Sequence, residues 1–219
     1  LSTYTCEWWG EHLDYEEVYK RQLSARADVA QGKRGPFFAA LTHSPTITLG
    51  RREADAPEQS VLNNYGISLC TTNRGGLATY HGPSQLMVYM FIDTRVLGIR
   101  IRDVVKSIEQ GLINWLRGEG VKAECVCGSP GVYVRNPDSS LAKIAAIGLN
   151  FSKGVSMHGL ALYLLSDSEP FELIDPCGVK GAEVTSVQKQ VCKIYLPEES
   201  YPKVVESIWE TLSLHCKKG

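Results

Sequence analysis

The chain has 219 residues, of which 43% are apolar and 21% charged, and a formal net charge of −1. That composition excludes a disordered polymer and gives no global attraction to nucleic acid or to an anionic membrane. No apolar run approaches the roughly 20 residues that cross a bilayer, and the length suits one sizeable core, so 1–219 reads as a single domain.

Asp14-Tyr15-Glu16-Glu17 has the form of a capping box and opens a helix to about Gln31, after a short strand from Tyr4 to Trp9. Phe37 to Thr42 and Thr46 to Leu49 read as strands around Ser44-Pro45, followed by a basic loop at Gly50-Arg51-Arg52. Pro57 to Tyr65 reads as a short helix, Ile67 to Thr71 as a strand, and Leu86 to Ile92 as a strand buried on both faces. Val104, Val105, Ile108, Leu112, Trp115 and Leu116 recur at helical spacing between Asp103 and Glu119. Four strands follow: Lys122 to Val126, Gly131 to Arg135, Ala142 to Phe151 and Val155 to Leu165, with hairpin-like turns at Asn136-Pro137-Asp138 and Ser152-Lys153-Gly154. Thr185-Ser186-Val187-Gln188 is a second capping-box pattern, and a last amphipathic helix runs from Tyr201 to about Cys216. Strands outnumber helices and do not alternate with them, which predicts an α+β fold with a mixed or mainly antiparallel sheet. No glycine-rich dinucleotide or P-loop pattern opens a helix.

Seven cysteines at irregular spacing (Cys6, Cys70, Cys125, Cys127, Cys177, Cys192, Cys216) argue against a disulfide framework and for reduced thiols. The start, Leu1-Ser2-Thr3-Tyr4, lacks a signal-peptide pattern. The expected location is cytoplasmic, or the mitochondrial matrix where a targeting peptide has been removed. Cys125-x-Cys127 is not a zinc spacing, and His81, His158 and Cys177 include no close-spaced ligand pair, so no metal is expected.

Three places carry chemistry. The run from Asn73 to Tyr89 crowds Arg74, Gly75, Gly76, Leu77, Ala78, Thr79, Tyr80 and His81 together; adjacent glycines allow close approach of a bound group to the backbone. Lys143 lies in an otherwise apolar strand and by parity shares a face with Ala145, Ile147 and Leu149. There an ammonium is either desolvated, and so a usable base, or snorkels to water at an edge. Cys177, in Asp175-Pro176-Cys177-Gly178, is either an approachable thiol in a turn or an inert buried one. Paired with Lys143 it would form a nucleophile-and-base dyad. His158, in Met157-His158-Gly159-Leu160, reads first as a satisfied core histidine.

The ordered set Thr48-Leu49-Gly50-Arg51, Arg74-Gly75-Gly76 with Thr79-Tyr80-His81-Gly82-Pro83 and Gln85-Leu86, Gly131-Val132, Lys143 to Gly148, His158 to Leu162, Pro176-Cys177-Gly178 and Thr185-Ser186 resembles the lipoyl(octanoyl) transferase, or LipB, family over about residues 40 to 190. The resemblance implies a biotin/lipoate protein ligase-like catalytic fold, a mixed sheet with flanking helices. It also implies transfer of octanoyl, or lipoyl, from acyl carrier protein to a specific lysine of an apo lipoyl domain, on 2-oxoacid dehydrogenase E2 subunits and the glycine cleavage H protein. Cys177 would carry the acyl thioester and Lys143 would manage protons. Arg74 to His81, Ala146, Ile147 and Gly148, and His158, Gly159, Leu160 and Ala161 would line the acyl pocket. No cofactor, nucleic acid or membrane is implied. The alternatives on this fold are an ATP-dependent lipoate or biotin ligase, which needs no catalytic cysteine, and a non-catalytic carrier-binding module. Ser84 and Tyr163 depart from the family pattern, and the densest basic run (Arg95, Arg100, Arg102, Lys106) and the pair Arg51 and Arg52 are candidate docking patches for an acidic carrier.

Overall fold

The computed structural model describes residues 3–52, 56–167, 169–174 and 183–216. The strands are β1 (Thr5–Leu13), β2 (Phe37–His43), β3 (Thr46–Leu49), β4 (Ser68–Thr71), β5 (Thr79–His81), β6 (Gln85–Phe91), β7 (Ala123–Val126), β8 (Ser129–Arg135), β9 (Leu141–Ser152) and β10 (Val155–Tyr163). The helices are α1 (Tyr15–Ala30), α2 (Gln59–Tyr65), α3 (Ile101–Gly118), α4 (Val187–Val191) and α5 (Pro197–Ser213), with a 3₁₀ turn at Glu169–Leu173. Seven strands form one sheet in the order β1-β2-β6-β10-β9-β8-β7, and β4-β3-β5 form a second. Only the β1–β2 and β3–β4 pairings are parallel among those strands, so the predicted mixed, mainly antiparallel α+β arrangement is what forms.

Alternation across the large sheet builds two apolar layers. Phe38, Val88, Met90, Leu160 and Leu162 meet Val104, Ile108 and Leu112 of α3 and Val204, Ile208 and Leu212 of α5. On the opposite face, Phe37, Leu41, Met87, Tyr89 and Ala161 meet Val18, Ala25 and Val29 of α1, with Ile47 of the small sheet in the same layer. Every residue of β2 and β6 is buried, as two-sided covering requires. Asp14 caps α1 by accepting from the Glu17 amide, as its capping box predicts. In the last short helix the cap is Ser186, one residue later than the Thr185 pattern suggests, and it accepts from the Lys189 amide. Lys153 (φ 49°) and Gly154 (φ 84°) make the two-residue turn that joins β9 to β10.

One prediction is overturned. Tyr133 pairs with Lys143 and the adjacent Val132 pairs with Ala145, so β9 carries an extra residue, a bulge at Ile144. Ile144 and Ala145 therefore both face the α3 layer, and Lys143 lies on the opposite face from Ala145, lining a cavity whose wall also includes Ala146, Ile147, Gly148 and Leu149. Strict parity had placed it with Ala145, Ile147 and Leu149. Beyond the bulge Lys143 is held as an extended residue by the 183–185 segment: its amide donates to the Glu183 carbonyl (2.9 Å) and its carbonyl accepts from the Thr185 amide (2.9 Å).

Candidate functional site

The site is built from the hinge between the two sheets. Arg74, 7% exposed, turns back from the Gly-Gly segment onto β3. Its Nε and Nη2 donate to the Thr48 hydroxyl (3.0 and 2.9 Å), Nη2 also to the Thr48 carbonyl (2.6 Å), and Nη1 to the Gly75 carbonyl (3.0 Å). The Thr48 hydroxyl, already accepting from an arginine, has its one proton left for His81 Nε2, 3.1 Å away. His81 therefore carries its proton on Nδ1, which has no hydrogen-bond partner among the described residues. The chain Arg74, Thr48, His81 thus fixes the tautomer of a histidine in the cavity wall.

Two further histidines sit beside it. His43 Nδ1 lies 2.9 Å from the Leu13 carbonyl and must donate to it, which leaves Nε2 to accept from the Tyr89 hydroxyl at 2.7 Å. His158 stands at φ 62°, a left-handed conformation rare for a side-chain-bearing residue inside a strand. The turn it imposes pulls β10 away from β6, and the orphaned groups are met locally. Ser156 Oγ donates to the Met90 carbonyl and accepts from the Ile92 amide, while the His158 amide donates to Gln22 Oε1 of α1. His158 Nε2 pairs with Asn73 Oδ1 at 2.7 Å, and its Nδ1 has no partner among the described residues. Burial holds all three rings neutral. It pushes His43 down to about 4; His158 goes to about 3 through burial and then the positive charges of Arg74 and Arg26; His81 falls well below the usual range, with His43, Arg74 and His158 adding to burial.

These groups and the Gly-rich segment enclose a cavity of about 560 Å³, a volume inside the roughly 300–1,000 Å³ of small-molecule sites. Its wall contains Arg74, Gly75, Gly76, Leu77, Ala78, Thr79, His81, Lys143, Ala146, Ile147, Gly148, His158, Gly159, Leu160 and Ala161. Tyr80 does not line it. Between Thr79 and His81 on β5 it must point the other way, where its ring packs on Phe171 and its hydroxyl reaches Asp167. Cys177 lies outside the described residues. Lys143, 7% exposed, has its ammonium 5.1 Å from the centre of the Tyr133 ring, within range of a cation–π contact. The glycines here are needed for closeness: a Cβ on Gly159 would lie 2.0 Å from the Val88 carbonyl oxygen, and one on Gly148 would lie 3.1 Å from that of Gly75.

Sequence reasoning missed Tyr15, Thr48 as a hub, His43, Asn73, Tyr89 and Gln22. One signal was present. Gln22 falls in the stripe Tyr15, Val18, Gln22, Ala25, Val29 that α1 buries, and an amide in an apolar stripe asks for a partner. Ser84 and Tyr163 resolve in different ways. Ser84 Oγ donates to Asp167 (3.1 Å), beside Tyr80, while Tyr163 lines the cavity and packs on Phe171. Among the basic candidates, Arg95 is tied to Asp93 and Arg100 to Asp103, whereas Arg51 and Arg52 stand on the cavity rim.

Comparison with known proteins bears on this arrangement. Residues 14–210 match the family model described as the lipoyl protein ligase A/B catalytic domain. An octanoyltransferase of Aromatoleum aromaticum is 41% identical over 169 residues, covering 77% of this chain and 69% of that protein. One from Polynucleobacter necessarius is 44% identical over 153 residues, covering 68% of this chain and 71% of its own length. Among solved structures, the bi-partite lipoate protein ligase of Thermoplasma acidophilum superposes with a TM-score of 0.69 at 16% identity, covering 95% of this chain and 82% of that one. The biotin protein ligase of Aquifex aeolicus gives 0.57 at 11%, covering 99% and 72%. At such identities the structural likeness speaks for the fold alone.

Proposed function

This chain belongs to the lipoyl protein ligase A/B catalytic-domain family, among its octanoyltransferases, and from that premise we propose that it moves an octanoyl, or lipoyl, group from acyl carrier protein to a specific lysine of apo lipoyl domains. The acceptors in this reading are the lipoyl domains of 2-oxoacid dehydrogenase E2 subunits and the glycine cleavage H protein, and the compartment is cytoplasmic or the mitochondrial matrix. Among the described residues no helix is long and apolar enough to cross a membrane. The observation that carries the reading is the cavity between the Gly-Gly segment and β9–β10, with a buried lysine, Lys143, in its wall.

In the proposed chemistry Cys177 is the nucleophile. Its sulfur attacks the thioester carbonyl, the carrier's thiol leaves, and the octanoyl group rests on Cys177 as a thioester. The acceptor lysine amine then attacks that thioester, an amide forms and the Cys177 thiol is released. Lys143 relays the protons, taking the one from the Cys177 thiol and passing it to the departing carrier thiolate, then taking one from the attacking amine and returning it to Cys177. Thioester exchange is nearly balanced and thioester-to-amide transfer runs downhill, so neither ATP nor a cofactor is required, and the kinetics should be ping-pong. Backbone groups near the glycines would be the donors for a carbonyl oxygen in the cavity.

The test is intact-mass analysis after incubation with octanoyl carrier protein. An octanoyl adduct should form on the wild-type chain and be absent from Cys177→Ser, and Lys143→Ala should form it at least ~100-fold more slowly. Transfer that depends on ATP, or an adduct that survives in Cys177→Ser, would overturn the mechanism.

A further inference from the structure

Four cationic side chains line the cavity, Arg51, Arg52, Arg74 and Lys143, and no carboxylate does so among the described residues. Arg74 and Lys143 are buried, while Arg51 and Arg52 are exposed. Neither of these two makes an ion pair among the described residues, in contrast to Arg95 and Arg100. Both are mounted on the rigid Gly-rich segment: the Arg51 amide donates to the Arg74 carbonyl (3.1 Å) and the Arg52 amide to the Gly76 carbonyl (3.3 Å). A Cβ on the preceding Gly50 would sit 2.3 Å from the Gly76 oxygen, so the backbone that carries them has little freedom to move. Ile101 and Val105 of α3 also line the cavity.

We propose that Arg51 and Arg52 form an anion subsite at the cavity rim that takes the phosphodiester of the thioester donor's prosthetic arm, an assignment that rests on the acyl-transfer reading above. Such a donor has an apolar acyl tail, a neutral arm of amides and one phosphodiester at the end far from the thioester. Seating the tail and thioester beside Lys143 leaves the phosphodiester at the mouth. Two guanidinium groups that make no ion pair among the described residues match that charge and its oxygen geometry. Because the contact is exposed and remote from the reacting carbon, it should act on capture of the donor more than on the chemical step.

The experiment compares three octanoyl donors: octanoyl carrier protein, octanoyl-coenzyme A, which keeps the phosphate, and octanoyl-pantetheine, which has none. The double variant Arg51→Gln/Arg52→Gln should lower kcat/KM by about tenfold with the first two, with kcat nearly unchanged. Octanoyl-pantetheine should react equally well with both proteins, which also shows that the variant is folded. Added salt should erode the wild-type advantage and leave the double variant flat. The exposed Arg117→Gln serves as a charge-matched control. An equal loss with all three donors would overturn the subsite in favour of a role in holding the loop, and a loss confined to carrier protein would replace it with a contact to the carrier's protein surface. No loss with any donor would remove it altogether. If wild-type protein transferred from none of the three, the acyl-transfer reading itself would fall, a result seen before any variant is made.

Discussion

Thr48 shows how much of this site depends on one hydroxyl. It accepts from two nitrogens of Arg74 and stands within hydrogen-bond reach of His81 Nε2, with all three residues buried. Thr48→Val keeps the shape and removes the hub, leaving two buried polar groups short of a partner, each costing about 1–3 kcal/mol. The expected result is a loss of roughly 2–4 kcal/mol in urea unfolding, together with a fall in activity because Arg74 loses the hydroxyl acceptor and keeps only the bond to the Thr48 carbonyl to hold it on β3. Thr48→Ser, which restores the hydroxyl, should recover most of both. Wild-type stability in Thr48→Val would show that the network is not structural. At this scale the sequence was legible where the residue type is itself unusual in its setting, as with Arg74 beside two glycines or Lys143 in an apolar strand. It was silent on Thr48, because a threonine in a strand is ordinary and its partners lie 26 and 33 residues away.

α3 and α5 illustrate what a single glycine permits between elements. A Cβ on Gly111 would lie 2.6 Å from Ile208 Cα and 2.9 Å from the Ser207 carbonyl oxygen, both backbone contacts, so the two helices cross at the closest distance a glycine allows. The Ser207 hydroxyl donates to the Gly111 carbonyl (2.8 Å) and the Thr211 hydroxyl to the Ser107 carbonyl (2.6 Å), which stitches the crossing. Gly111→Ala must push α5 away from α3 and is expected to destabilise by about 1–3 kcal/mol, as overpacking does. Gly118→Ala, in open space at the end of the same helix, should be neutral or stabilise by roughly 0.5–1 kcal/mol. Thermal melting of the two variants checks both signs at once, and a destabilised Gly118→Ala with an unaffected Gly111→Ala would refute the close crossing. Elements were legible where local chemistry sets them: the Asp14 cap, the apolar stripe of α3 and the Lys153-Gly154 turn all lie within a few residues of what they determine. The bulge at Ile144 was not, because it arises from how β8 meets β9, and strand parity assumes an uninterrupted ladder. Tyr80 failed for the opposite reason. It was grouped with its neighbours as one motif, although alternation along β5 turns it away from the cavity.

Across the whole molecule the large sheet is shared by both apolar layers, with Phe37 and Phe38 of one strand pointing to opposite sides, so we read 1–219 as one cooperative unit. Trp9 stacks near Phe37 and Phe91 on the α1 side and Trp209 packs on Phe38 on the α5 side, which gives each layer its own fluorescent reporter. The three neutral histidines make that unit sensitive to acid, and the sign follows from which state holds the proton. An unfolded histidine titrates near 6.5, whereas His43 and His158 are held down to about 4 and about 3 and His81 is also strongly lowered. Above pH 6.5 neither state is protonated and these groups leave stability independent of pH. Below it the unfolded chain takes up protons that the native fold refuses, so stability falls as pH drops towards the folded values. At pH 5, about 1.5 units below the unfolded value, His43 and His158 should each cost the fold about 2 kcal/mol. Most carboxylates remain ionised at that pH, so the window from 6.5 to 5 isolates the histidines. Urea unfolding should therefore have a constant midpoint from pH 8 to 7 and a falling one from 6.5 to 5, and His158→Gln, less stable at pH 7, should show a shallower fall. Variants that retain only Trp9 or only Trp209 should report the same midpoint at each pH, because neither layer can come apart without the strands of the other. A flat midpoint down to pH 5 would mean that the rings are protonated in the native state, and two separate midpoints would divide the chain into independent units.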